Sequence, residues 1–290
     1  MPWNISASVL EEQLGRHPFR STAGYETQTQ GWASPREDGG LVHSINGQML
    51  ISLCTEKKLL PASVIKEVIK TRAVEAEQHQ GYKPGKKQLR DIKEQVTDEL
   101  LPRAFAVRRR TGIWIDPANG WLVMDVASPG KADEVITLLS KSIDDFVIER
   151  LKTAIAPGTA MTAWLANDDI PHGFSVDQET ELQSPVEEKA TVRFVRHALE
   201  PKEVQRHIAA GKQCTRLALT WANRVSFMLT DSMVLKRVLP VDVIREGEAA
   251  PSQNDDERFD ADFTLMTGEL HHLVTDLVEA LGGFLEVGQK

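Results

Sequence analysis

An Asn-Gly dipeptide at 46–47, set between the runs LVHSI and QMLISLC, constrains this chain more than any other local feature. A two-residue turn with both central residues at positive φ matches the right-handed twist of paired strands. Asn-Gly reaches that conformation readily, so the segment predicts an antiparallel hairpin. FAVRRRTGIWI and WLVMDVA, placed around Asp116-Pro117-Ala118-Asn119-Gly120, predict a second one. Between the two hairpins, Pro61 opens a helix expected over about 61–79. GYKPG at 81–85 breaks it, and a further helix runs over 86–101 to Pro102. Upstream, Ser8 with Glu11 reads as a capping box for a short helix stopped by Gly15, and 17–38 reads as loop with room for one strand. Ser128-Pro129 starts a helix to about Ile143.

Beyond 150 the pattern is less regular. A strand is expected over 190–199, a helix from Pro201 to Gly211, and a three-strand meander from QCTRLALTW, RVSFMLT and VLKRVL. A polar loop over 246–257 then leads to a terminal helix closed by Gly282-Gly283. Hairpins and helices arrive in blocks rather than in strict βαβ alternation, so the expected class is α+β with antiparallel sheets. The expected parts are 1–55, an N-terminal α/β part; 56–150, central basic helices and a hairpin; and 151–290, a C-terminal α+β part.

Charge placement narrows the function. The net charge is −8, which taken alone disfavours a polyanion binder. Residues 56–110, however, hold 14 Lys/Arg against 8 Asp/Glu, whereas 242–290 carry 12 acids against Arg245, Arg258 and Lys290. On the helix over 86–101, Leu89, Ile92, Val96 and Leu100 share one stripe at 100° per residue. Lys86, Arg90 and Lys93 form a second stripe beside it, and Asp91, Glu94 and Asp98 fall further round. Arg103, Arg108, Arg109 and Arg110 follow, and Lys83 and Lys87 extend the basic set. Arginine forks and lysine point charges grip phosphate without reading a base. No aromatics interleave with them, and no helix-turn-helix, zinc-finger or RRM pattern is present.

Chemistry-bearing motifs are scarce. The sequence has no phosphate-binding glycine loop, no nucleophile elbow, no C-x-x-C and no H-E-x-x-H. No catalytic residue, metal site or cofactor is expected. One alternative is a metal-dependent exonuclease: Asp260 and Asp262, near Asp255, Asp256 and Glu257, would point the same way on an extended segment and could hold Mg²⁺. Glu269 and His272 have E-x-x-H spacing but lack a convincing mate. Cys54 and Cys214 lie far apart, and no apolar run nears the roughly 20 residues of a membrane span. MPWNISASVLEEQLG lacks the basic and apolar regions of a signal peptide. The expected setting is therefore the cytoplasm, with two free thiols and no membrane partner.

Six stretches, in order along the chain, carry a family resemblance: NGQMLI (46–51), KLLPASVIK (58–66), LLPRAF (100–105), WIDPANGWLVMDVAS (114–128), HIAAGKQCTRLAL (207–219) and RFDADFTLMTGEL (258–270). Through them the chain resembles the RdgC family of recombination-associated proteins of proteobacteria. The resemblance implies a homodimer closed into a ring, with duplex DNA held independently of sequence in a positively charged hole. It also implies a nucleoid role in recombination and replication-fork repair, where access of the RecA recombinase to DNA is limited. It places Phe105 at a subunit junction and implies a dimer interface that also includes Arg196 and His197, which stand where relatives often have Lys-Gln. Arg196 and Lys212 join the expected DNA contacts. Relatives begin with about a dozen further residues that read as an apolar strand, so either the start codon is assigned late here or one sheet lacks a strand and exposes an edge.

Overall fold

A computed structural model describes residues 3–36, 39–126, 128–186, 189–196, 200–241 and 254–285. They form two compact units, 1–147 and 148–290. In the first, a helix α1 (Ala7–Leu14) precedes strands β1 (Gln28–Ala33), β2 (Val42–Ile45) and β3 (Gln48–Lys58). Helices α2 (Ala62–Gln80) and α3 (Lys86–Leu100) follow, then a 3-10 turn at Leu101–Arg103, strands β4 (Ala106–Asp116) and β5 (Trp121–Met124), and helix α4 (Pro129–Ser142). The second unit holds α5 (Pro157–Asn167), β6 (Phe174–Gln183), β7 (Thr191–Val195), α6 (Pro201–Ala209), β8 (Gln213–Trp221), β9 (Val225–Thr230), β10 (Leu235–Pro240) and α7 (Asp255–Ala280). Both sheets are antiparallel, so the α+β expectation holds.

The Asn-Gly turn forms as expected, with Asn46 at φ 51° and Gly47 at φ 79°. It fixes the register of β2 on β3 from Ile45↔Gln48 to Val42↔Ile51. The remaining length of that β3 edge is taken by β1, from Ala33↔Ser52 to Gln28↔Lys57. On its other edge β3 pairs with β4 from Met49↔Ile115 to Lys58↔Ala106. The expected boundary at 55/56 therefore falls inside β3, and residues on both of its sides belong to one sheet. β5 covers β4 only from Ile113 onward, and among the described residues no strand pairs with the outer edge of its arginine-bearing half. Charged side chains on an open edge discourage pairing with other chains.

One face of this sheet packs on α1 and α4. Trp32, Met49, Ile51, Leu53, Ile113 and Ile115 meet Leu10, Leu14, Val135, Leu138 and Leu139. Trp32 Nε1 donates to Ser142 Oγ at 2.8 Å, which satisfies the indole in the core. The cap of α1 differs from expectation. Ser6, not Ser8, accepts from the Val9 amide at 3.3 Å. Glu11 instead turns outward from its own helix and accepts the Leu41 and Val42 amides, both at 2.6 Å, anchoring the start of β2.

In the second unit the strand order is β10-β9-β8-β6-β7. Leu182, Leu217, Leu219, Phe227 and Leu229 pack against Met161 of α5, Val204 of α6, and Leu273 and Leu277 of α7. The meander, α6 and the terminal helix lie close to where the sequence placed them, with Gly282 and Gly283 at φ 83° and 84°. α5 and β6 occupy the stretch that reads as irregular. No helix of the described residues is long and apolar enough to cross a membrane.

Gly31 in β1 is required by close approach, because residues 17–19 run against that strand. Phe19 N–H donates to the Trp32 carbonyl at 2.8 Å, and Trp32 N–H to His17 at 2.9 Å. A Cβ at Gly31 would stand 2.6 Å from the Phe19 and Pro18 backbone. Gly31→Ala should lower stability by about 1–3 kcal/mol through overpacking against main chain that cannot turn aside. A urea melt beside the unaltered protein checks this, and an unchanged midpoint would show that the 17–19 segment gives way freely.

Candidate nucleic-acid interface

The basic segment is built on two helices and a strand. α2 has no buried residue, and in α3 only Val96 is buried. The two helices pack mainly on each other. Gln80 and Gln88 exchange side-chain amide bonds at 2.8 and 3.3 Å near the turn, and Arg72 Nη2 donates to Glu99 at 2.6 Å. Helices of this length are marginal alone, so each depends on the other. Of the expected apolar stripe, Leu89 is exposed and Ile92 and Leu100 are half-buried. The hairpin thus keeps a thin apolar seam and a broad polar surface.

Lys83, Lys86, Lys87, Arg90, Lys93 and Arg103 are all exposed. The acids do not stay clear of the cations as the wheel implied. Arg90 Nε donates to Glu94 at 3.1 Å, and Arg90, Lys93, Glu94, Thr97 and Asp98 line one shallow depression. The reason is geometric: Glu94 lies one turn beyond Arg90, only about 40° round the helix.

The run Arg108-Arg109-Arg110 is divided by the strand itself, because successive side chains of a strand point to opposite faces. Arg109 shares the face of Ile113 and Ile115. Arg108 and Arg110 lie on the other, opposite Glu56 and Cys54. Arg108 is heavily engaged: its Nε donates to Glu56 at 2.5 Å, its Nη2 to Ser21 Oγ at 2.7 Å, and its guanidinium sits 5.4 Å from the Phe19 ring centroid. Glu56 also accepts the Thr22 amide and hydroxyl at 2.6 and 2.8 Å. The Arg108 hydrogen bond, reinforced by Thr22, holds the Glu56 carboxyl down at about 2. Arg110 Nη1 donates to the Ser34 carbonyl at 3.2 Å. Burial pushes the Cys54 thiol up, against the opposing charges of Arg110 and Arg108. Arg108 therefore pins the 19–22 loop to the sheet, a role its place in a basic run does not reveal.

Phe105 precedes β4 and is 87% exposed. Its carbonyl accepts the Leu59 amide at 2.7 Å, so the β3–β4 pairing continues to it while its ring stays outside its own core. Leu59 and Val107 are exposed apolar neighbours in sequence and pairing. In the second unit Arg196 is exposed at the end of β7, with φ 54°, and Lys212 is half-buried before β8. His197 lies outside the described residues.

The aspartates offered for a metal do not converge. Asp260 and Asp262 lie within α7, not on an extended segment, so two residues turn them about 200° apart. Asp262 stands 4.0 Å from Arg258. Glu269 is held by Arg224 through two bonds at 2.8 and 2.5 Å. Among the described residues, no group of three or more His, Cys, Asp or Glu could hold a metal ion.

Comparison with known proteins bears on this surface. The family model described as "Putative exonuclease, RdgC" matches residues 1–284. A "Recombination-associated protein RdgC" of Janthinobacterium sp. (strain Marseille) is 59% identical over 285 residues, covering 98% of this chain and 95% of the relative. Its counterpart in Herminiimonas arsenicoxydans is 57% identical over 282 residues, covering 97% and 94%. One from Bordetella parapertussis is 53% identical over the same length and coverage.

The Arg108–Glu56 pair makes a pH prediction. Glu56 titrates below its ordinary value in the folded chain, so its contribution to stability is complete above about pH 4.5 and is lost as pH falls towards 2. Glu56→Gln should remove that component. Denaturant midpoints of variant and parent should differ most near neutral pH and converge in acid. Curves that stay parallel down to pH 2 would show that the pair is energetically idle.

Proposed function

The chain belongs to the RdgC family of recombination-associated proteins, and on that premise we propose that it holds duplex DNA by its phosphate backbone, without reading sequence and without cutting it. The observation that carries this reading is the polar hairpin α2–α3. It carries Lys83, Lys86, Lys87, Arg90 and Lys93 into solvent, and Arg103 and Arg109 further along the chain are exposed as well. Lysine and arginine on a surface with no base-reading element give affinity that is electrostatic and indifferent to sequence.

The dimeric ring follows as part of the same proposal. A net charge of −8 suits a body that needs cations only where DNA passes, with acids elsewhere to keep it soluble. Phe105, exposed beside Leu59 and Val107, supplies an apolar anchor of the kind that subunit junctions bury. Encircled DNA would be occluded from the RecA recombinase, which assigns the protein a restraining role in recombination and fork repair at the nucleoid. Cleavage is the competing reading, carried by the wording of the family description. Asp260 and Asp262 on α7 do not support it, because their side chains diverge.

Fluorescence anisotropy on unrelated duplexes of equal length tests the binding mode. Affinities should agree at fixed salt, and log K should fall against log[salt] by roughly 0.9 per phosphate contacted. Charge reversal at Lys86, Arg90 and Lys93 together should weaken every duplex about equally and flatten that slope. Strong preference for one duplex would overturn the reading, as would unchanged affinity in the folded triple variant. Chelator-sensitive loss of an end label in Mg²⁺ would favour the nuclease.

Phe105→Ser should loosen self-association by about 2–4 kcal/mol, the scale for removing an aromatic anchor from an interface. Because Phe105 is outside its own core, the thermal midpoint of the dilute protein should hold. Sedimentation and a melt on one preparation check both. A variant that associates normally but melts many degrees early would show that Phe105 packs within its own subunit.

A further inference from the structure

The second sheet has two faces of different character. α5, α6 and α7 contribute to the core on one face. On the other, cations from β7, β8 and β10 meet acids of β6. Arg193 of β7 donates through Nε to Glu181 Oε2 at 2.5 Å, and Arg216 Nη1 of β8 lies 3.7 Å from the same oxygen. Arg237 Nη2 of β10 reaches Glu179 Oε2 at 2.8 Å. In the strand order, β9 and β8 lie between β10 and β6, so that contact spans two strands. Beneath it Met228 and Ala218 are buried, at 4% and 8%, on the face opposite the helices.

Two details separate this arrangement from ordinary surface pairing. First, the acids lie below and the cations above. The Glu181 side chain is 10% exposed and that of Glu179 35%, while Arg193, Arg216 and Arg237 are 64%, 46% and 58% exposed. A molecule approaching this face meets guanidinium groups held at one edge by carboxylate. Second, β10 carries an irregularity between Lys236 and Leu239, with Arg237 at φ 52°. A left-handed conformation is unfavourable for a branched-chain or long L side chain, and a bulge is a common means of re-aiming one. Here the bulge turns Arg237 inward across the sheet, while Lys236 pairs with Met228 and adds a fourth cation. Asp177, the remaining acid at the far end of β6, is occupied by the Thr220 hydroxyl at 2.9 Å.

This set of four cations beside Glu179, Glu181 and Asp177 sits in a unit that is acidic overall, since residues 148–290 hold 15 Lys/Arg against 23 Asp/Glu. The guanidinium groups do not stay over their own strands: those of Arg193 and Arg216 approach one oxygen of Glu181, and that of Arg237 reaches Glu179 two residues along the same strand, so the three gather over β6. Guanidinium groups already immobilised by a carboxylate lose little freedom on gripping phosphate, and each retains donors for a bidentate contact.

We propose that this open face of the second sheet, through Arg193, Arg216, Arg237 and Lys236, is a second contact surface for the backbone phosphates of duplex DNA. It rests on the reading of the protein as a duplex binder and adds a site that the basic run at 83–110 does not contain.

The test uses the full chain and a random-sequence duplex in anisotropy titrations across salt. Arg193→Gln with Arg216→Gln should lower affinity about tenfold at moderate salt and reduce the salt slope by about 1 per arginine. Because that pair of changes strips Glu181 of both guanidinium partners and leaves it the Thr215 hydroxyl at 2.9 Å, Glu179→Gln gives an independent reading. It releases Arg237 while keeping an amide in place, and should raise affinity about threefold. Glu279→Gln, on the exposed end of α7, removes the same charge elsewhere and should not match that gain. Wild-type affinity and slope in the folded double variant would overturn the proposal, as would equal effects of Glu179→Gln and Glu279→Gln. If the double variant does not fold, the comparison of the two glutamate variants decides. Absence of duplex binding by the unaltered chain would instead overturn the functional reading itself.

Discussion

The ladder between β3 and β4 organises the first unit. Its pairs run without a break from Met49↔Ile115 to Lys58↔Ala106. At one end its side chains close the core under α1 and α4. At the other, the same alternation carries Arg109 to one face and Arg108 and Arg110 to the opposite face. The Leu59–Phe105 bond extends the pairing by one step and delivers Phe105 to solvent. A one-residue slip would exchange the faces, placing arginines over the helices and isoleucines in water. The Asn46-Gly47 turn guards against it by fixing where β3 begins.

Both sheets treat arginine in the same way. Glu56 is 5% exposed at its side chain beneath Arg108 at 60%, and Glu181 is 10% exposed beneath Arg193 at 64%. Burial works to raise the Glu181 carboxyl, but the Thr215 hydroxyl, Arg193 and Arg216 outweigh it, and the net direction is down. In each case a sunken carboxylate stays ionised because hydroxyl donors and a guanidinium replace its water. The guanidinium is thereby oriented without being buried. Such groups stabilise a sheet and remain available at its surface.

Much of the fold was legible because local rules and tertiary packing agreed. Both hairpins, the proline-initiated helices, the meander and the Gly282-Gly283 stop have turn or cap chemistry that works within a few residues of itself. α5 was not legible: PGTAMTAWLAN lacks a polar face of helical period, since Met161, Leu165 and Ala160 are buried and its neighbours are small. β6 was hidden for the opposite reason. FSVDQETELQ is rich in residues that disfavour strands, and only cross-strand arginines and hydroxyls make Glu179, Glu181 and Asp177 acceptable there. The apparent capping box at Ser8 misled because Glu11 found better donors about thirty residues away, in the Leu41 and Val42 amides.

Family membership, the α+β class and the concentration of cations in 56–110 were properties of the sequence by itself, since motif order, hydrophobic period and charge density are all one-dimensional. Which cations face solvent freely, which are tied to carboxylates, and that Phe105 stands outside its own core were decided only by tertiary structure. The reason is that charge pairing and burial depend on which strand lies beside which. Arg108 meets Glu56 across 52 residues of chain, and Arg237 meets Glu179 across two intervening strands. No local pattern encodes those distances, because they are set by a strand register and a bulge rather than by neighbours in sequence.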